Sequence, residues 1–146
     1  MPSFATSGWK DGWYVVPWEV TWRDLDAMGH VNNAVFFTLF EWGRTRYWLD
    51  LRQSREARDI GFIVARAECD FLRQLGLGDR IEIATRVGEM RSTSFDFVSE
   101  IRTESGEVSA RGRVVVVMFS WERNEKMTIP AELRAAVAGF QRSERV

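Results

Sequence analysis

The chain has 146 residues, 45% hydrophobic, 13% aromatic and 28% charged, and its 20 Lys and Arg against 21 Asp and Glu leave a net charge of −1. That balance lacks the basic footprint of a nucleic-acid binder, and one cysteine with one histidine excludes a disulfide framework and any all-cysteine or multi-histidine metal centre, so neither nucleic acid nor a metal is expected. The length is that of one domain over residues 1–146, enough to bury roughly 68–70% of the surface its unfolded chain exposes.

The first ten residues, Met1 to Lys10, carry neither a basic region nor an apolar one and do not read as a signal peptide. The longest apolar run, Val114 to Phe119, is far short of the about 20 residues that cross a bilayer. A cytoplasmic location without membrane insertion is the expectation. Tyr14 to Trp22 is rich in β-favouring residues and predicts a short strand, with Pro17 marking an edge or a bend. A polar, turn-rich stretch follows from Arg23 to His30. From Ala34 to about Leu51 the chain reads as one helix, with Asn32 and Asn33 as N-cap candidates. Its first half, Ala34 to Phe40, is apolar nearly all round and predicts burial. Its second half offers the pairs Glu41–Arg44 and Arg46–Asp50.

Beyond the helix the hydrophobic period becomes two. Strands are predicted at Gly61 to Phe71, at Arg80 to Val87 with its strict alternation, around Phe95, Phe97 and Ile101, and at Val108 to Trp121. Short turns separate them, Gly76-Leu77-Gly78-Asp79 and Glu104-Ser105-Gly106-Glu107 among them. A final helix is predicted from Ile129-Pro130 onward, with proline at its first position. The order strand, buried helix, four strands, terminal helix predicts an α+β fold in which a curved antiparallel β-sheet wraps one long central helix. Edge strands and seven tryptophans point to pairing with a second copy.

The stretch Asp24-Leu25-Asp26-Ala27-Met28-Gly29-His30-Val31-Asn32-Asn33 concentrates two carboxylates, the single histidine and two amides between a strand end and a helix N-terminus. The first N–H groups of a helix lack intrahelical partners and carry partial positive charge, so they can hold a carbonyl oxygen that is becoming an oxyanion. A carboxylate beside them can act as a base toward water or attack an acyl carbon itself. Asp, Gly, His and Asn are equally ordinary loop and capping residues, so composition alone leaves a purely structural loop open. Cys69, lying between Glu68 and Asp70, reads as a small packed residue rather than a nucleophile, since no further histidine is present to activate it.

The segment Val20 to Leu51 resembles the start of a hotdog-fold acyl-CoA thioesterase of the 4-hydroxybenzoyl-CoA thioesterase-like superfamily. In that family a strand leads to an Asp-x-Asp-x-x-Gly loop and then to a central helix with an aromatic first turn and a Glu-x-x-Arg. Here these are Asp24-Leu25-Asp26-Ala27-Met28-Gly29, Phe36-Phe37 and Glu41-Trp42-Gly43-Arg44. Phe71, Gly78-Asp79, Gly106 and Ile129-Pro130 extend the likeness along most of the chain, and His30-Val31-Asn32-Asn33 is similar to a tetrad of plant-type acyl-carrier-protein thioesterases. The resemblance implies hydrolysis of an acyl-CoA, or acyl-carrier-protein, thioester to the acid and free thiol, without a cofactor, by a homodimer or homotetramer whose sites lie between subunits.

By the same resemblance Asp26 is the catalytic carboxylate, as base or nucleophile, and the backbone N–H near Asn33 is the oxyanion donor. Asp24 and Asn32 fall in supporting places, and His30 matches the plant-type histidine. Met28 stands where plant-type relatives carry an asparagine, so a mechanism needing that amide does not carry over. Glu41 corresponds to the helix carboxylate of another hotdog branch, and Arg91 to a residue that contacts the coenzyme A phosphates. Two rival activities belong to the same outline: a hotdog hydratase or dehydratase on enoyl or 3-hydroxyacyl thioesters, and a non-catalytic acyl-CoA-binding dimer.

Overall fold

Alternating sequence returns as strands and the long apolar stretch as a helix in the structure, a computed structural model that describes residues 7–142. The segment Met1 to Thr6, part of the stretch read above for a leader, lies outside the described residues. Nine elements follow in order: β1 (Gly8–Lys10), β2 (Trp13–Glu19), α1 (Asn33–Arg52), β3 (Phe62–Phe71), β4 (Arg80–Met90), β5 (Ser94–Thr103), β6 (Val108–Ser120), β7 (Glu125–Lys126) and α2 (Ala131–Arg142). The sheet runs β1-β2-β4-β5-β6-β3, antiparallel throughout, with β7 paired to β6. No helix among the described residues is long and apolar enough to cross a membrane.

Inward residues of four strands close over one side of α1. Val16, Ile81, Ile83, Phe95, Phe97, Ile101, Val114 and Val116 meet Phe36, Leu39, Phe40, Tyr47 and Trp48 in a single buried cluster. Strand alternation delivers the sheet's contribution, since every second side chain of β5 and β6 faces the helix. Two glycines set how near helix and sheet come. A Cβ on Gly43 would stand 2.5 Å from Thr85 Oγ1, and one on Gly112 would run into the Phe40 ring.

Several expectations are corrected by the structure. The helix is buried on one face only: Ala34, Thr38 and Glu41 are exposed, and Phe37 and Trp42 remain 36% and 39% exposed. The sheet forms a single layer, so it can cover only one side. Trp22 lies outside β2, in a 3-10 turn over Trp22–Asp24, at 77% exposure. Asp50 takes the hydroxyl of Tyr14 as its hydrogen-bond donor, so the expected Arg46–Asp50 ion pair is not what holds it. Asn32 is the helix cap and Asn33 the first helical residue, while Pro130 stands one position ahead of α2. Strands β1 and β7, three and two residues long, fell below the reach of periodicity. Pro17 does sit at an edge, because β1 pairs with β2 only as far as Val15.

Helix α2 packs Leu133 and Val137 into the core, and Phe140 joins Trp9, Tyr14 and Tyr47 in an aromatic group, edge-on to Trp9 and Tyr47 and tilted to Tyr14. Beyond Thr85 the pairing of β2 with β4 ends, and Gln141 takes over. Its Oε1 accepts from the Val87 amide (2.7 Å) and the Tyr47 hydroxyl (2.9 Å), while its Nε2 donates to the Val87 carbonyl (3.3 Å). Burial holds the Tyr47 hydroxyl neutral by raising its pKa well above the usual tyrosine value.

Candidate active site

The loop between β2 and α1 is pinned at both ends by backbone hydrogen bonds. Val20 N–H donates to Asp79 O (2.9 Å) and Gly78 N–H to Val20 O (3.0 Å), tying the end of β2 to the 76–79 turn. Asp24 then organises the 3-10 turn: its Oδ2 accepts from Thr21 N (2.8 Å), Thr21 Oγ1 (3.1 Å) and Trp18 Nε1 (3.3 Å). Its own carbonyl accepts from Asn32 N (2.9 Å). Asp24 thus ties the start of the loop together through its Oδ2.

Asp26 opens a tight turn. Asp26 N donates to His30 O (2.8 Å) and Gly29 N to Asp26 O (3.1 Å), with Leu25 bridged to Val31 across the turn. Gly29 takes φ 79°, a left-handed conformation that a side chain would resist. The Asp26 carboxylate accepts through one oxygen: Oδ1 receives Met28 N (2.9 Å) and His30 N (3.4 Å), and among the described residues Oδ2 has no hydrogen-bond partner. One oxygen is thus fixed by amides while the residue as a whole stays exposed. His30 contributes its backbone, bridging to Gly76 while Val31 N donates to Leu75 O (2.8 Å). The segment Gly76 to Asp79 was legible as a turn. Its service as the partner of this loop was not, since backbone pairing leaves no mark on residue identity.

Asn32 caps α1 by accepting the Ala34 amide on Oδ1 (2.9 Å), and it extends with φ −61° and ψ 137° before the helix begins. The Asn33 N–H stands at the first helical position, where no acceptor exists within the helix. Asn33 also lines a cavity of about 250 Å³ with Val31, Phe36, Phe71, Leu72, Arg73 and Gln74. Asp26 is exposed and outside that cavity, so a single chain leaves the carboxylate open to water. A larger open groove of about 690 Å³, lined by Trp18, Trp42, Arg46, Asp50 and Arg55 among others, contains none of the site residues read from the sequence.

The remaining candidates lie apart from the loop. Glu41 is two turns along α1, about 12 Å from Asn33 along the axis, and pairs with Arg44 at 3.5 Å. Arg44 is 8% exposed; burial lowers its pKa and Glu41 works against that, so the acid partners a desolvated cation. Arg91 sits in the turn between β4 and β5, ahead of the strand start, and its Nη1 reaches Asp96 Oδ1 at 3.0 Å. Cys69 is half-buried on β3; burial, with Asp70 beside it, pushes its thiol up to about 11 and keeps it neutral at ordinary pH. Among the described residues no group of three or more His, Cys, Asp or Glu side chains is arranged to hold a metal.

Comparison with known proteins adds a family likeness to this geometry. Residues 20–137 match the model of the thioesterase-like superfamily. The acyl-CoA thioester hydrolase YbgC of Escherichia coli O6:H1 is 26% identical over 122 residues, which cover 82% of this chain and 91% of that protein. The uncharacterized protein YsmA of Bacillus subtilis is 29% identical over 118 residues, 75% of this chain and 80% of its own length. Among solved structures, a thioesterase from Thermus thermophilus complexed with coenzyme A and Zn superposes with a TM-score of 0.81 at 30% identity, over 90% of this chain and 98% of that one.

Proposed function

Since this chain belongs to the thioesterase-like superfamily and has its hotdog fold, we propose that it hydrolyses the thioester of an acyl-CoA to the carboxylic acid and free coenzyme A, with Asp26 as the reacting carboxylate. The observation that carries this reading is the Asp26 side chain, one oxygen held by two amides and the other unpartnered among the described residues, on the loop that leads to the capped N-terminus of α1.

As a base, Asp26 takes a proton from water as the water oxygen attacks the thioester carbon. The carbonyl oxygen gains the negative charge and rests on the helix-end N–H near Asn33. Collapse expels the thiolate of coenzyme A, which recovers the proton from Asp26. As a nucleophile, Asp26 would displace the thiolate to form a mixed anhydride that water then opens. An oxyanion-hole donor is worth about 2.7–4 kcal/mol of barrier where one has been removed, and a positioned base about 10²–10⁴ in rate.

Enclosure falls to a second copy of the chain. β3 is the free edge of the sheet, exposed along most of its ten residues. Val64, Phe71 and Leu72 stand at 47%, 44% and 51% exposure. Such an edge invites pairing with its own mate. Phe71 and Leu72 also line the cavity at Asn33, so a copy docked on β3 would wall the site.

A thiol-release assay over a panel of acyl-CoAs tests the activity, and Asp26→Asn tests the residue. The variant is expected to keep its thermal midpoint while kcat falls by about 10² or more. Unchanged kcat removes Asp26 from the mechanism. Acyl-CoA binding with no thiol release by the parent chain would leave a binding dimer, and loss of enoyl absorbance from crotonyl-CoA would make the protein a hydratase.

A further inference from the structure

Beyond Val15, β1 no longer pairs with β2, and the outer edge of β2 is uncovered among the described residues. Pro17 has no N–H to offer a further strand there. Between this edge and α1 runs the open groove of about 690 Å³, a size within the about 300–1,000 Å³ of small-molecule sites. β2 and β3 lie toward opposite ends of the sheet, so a copy docked on β3 leaves the groove accessible.

The walls of the groove divide by character. Val16, Pro17, Trp18 and Trp42 are apolar, and Trp18 has already given its one side-chain N–H to Asp24 (3.3 Å). Trp42, Arg46 and Asp50 stand four residues apart on α1, in a line about 12 Å long. Asp50, at one end, accepts the Tyr14 hydroxyl; burial raises its pKa and the Arg55 charge opposes that rise. Glu19, at the other end, is matched by Arg80 at 3.7 Å.

Arg46 is the exception. It is half-buried, its guanidinium lies 5.6 Å from the centre of the Trp42 ring, and it forms no ion pair among the described residues. A guanidinium lying over an indole keeps its in-plane N–H groups for a carboxylate, and the ring restrains it. Asp50 repels an anion from one side of Arg46, which leaves the apolar walls on the other side for the rest of a ligand.

We propose that this groove binds an apolar carboxylic acid, with its carboxylate on Arg46 and its chain laid along Trp42 and Trp18 toward Pro17. The acid released by the hydrolysis proposed above belongs to this chemical class, but the site does not depend on that reading.

Calorimetric titration of the full chain with octanoate tests the site, with octanol, acetate and octylamine as comparisons. Octanoate is expected to bind about tenfold more tightly than octanol, which lacks the charge, or acetate, which lacks the chain. Arg46→Gln is expected to bring octanoate down to the level of octanol, and Trp42→Ala to weaken both. Octylamine binding more tightly than octanoate overturns the inference, as does parent-like octanoate affinity in Arg46→Gln. Displacement of octanoate by free coenzyme A, or its weaker binding to Asp26→Asn, would put the acid at the Asp26 loop and overturns it as well. So does a parent chain that does not bind octanoate, whether a second copy or the chain's own first six residues take the groove. The comparison of octanoate with octanol uses the parent chain, so it decides the matter even if Arg46→Gln fails to fold.

Discussion

Asp24 and His30 flank Asp26 closely, and they hold its turn by different means. Asp24 works through its carboxylate, which satisfies two donors of Thr21 and the indole of Trp18. His30 works through its backbone N–H and C=O. Asp24→Ala is therefore expected to cost about 1–2 kcal/mol in urea unfolding, the range of a lost cap, and to lower turnover as the turn loosens. His30→Ala keeps every backbone bond, and its kcat should stay within about threefold of the parent, a change below 1 kcal/mol. A large kcat loss in His30→Ala would mean that the imidazole itself takes part. That the two aspartates belong to one turn-rich loop was legible in the sequence through the Asp-x-Asp-x-x-Gly pattern. The part played by position 30 was not, since a sequence records side chains and this contact is made by the main chain.

At the scale of elements, α1 and its sheet meet through two residues that have no side chain. Alanine normally stabilises a mid-helix glycine position by up to about 1 kcal/mol. Gly43 inverts that sign, because an added methyl would press on Thr85 and Ile83, two β-branched side chains with little room to turn. Gly43→Ala is expected to destabilise by about 1–3 kcal/mol in denaturant unfolding, and Gly112→Ala by at least as much against the Phe40 ring. Stabilisation in either variant would show the layers able to separate freely. The four long strands and both helices were readable because each repeats its period over ten or more residues. The close approach at Gly43 and Gly112 was not readable, since it depends on partners 40 or more residues away in sequence. The one-sided burial of α1 was misjudged for a related reason: the apolar run at Ala34 to Phe40 serves two surfaces, and only Phe36, Leu39 and Phe40 belong to the core.

For the whole molecule, the open edge at β3 decides whether the chain works alone. Val64→Lys puts a charge on that edge beside Ile63 without touching the buried cluster. By sedimentation it is expected to leave the parent's oligomer for a monomer, and thiol release should fall with it. An active monomeric variant would place the complete site within one chain. The edge was readable in outline, from strand count and apolar surplus, whereas its position required the topology: β3 is the next strand after α1 in sequence and yet, among the described residues, pairs only with β6. Where β2 leaves β4, past Thr85, Gln141 takes the place of a strand, and the bonds it makes cross 54 and 94 residues of sequence. Val87 is surrounded by long strands, but its amide proton is guarded by a single side chain on the last helix. Its exchange with deuterium should therefore keep the clock of that helix lifting and settling, and run ahead of its neighbours in β4 and β5 whose protons wait for the sheet itself to open.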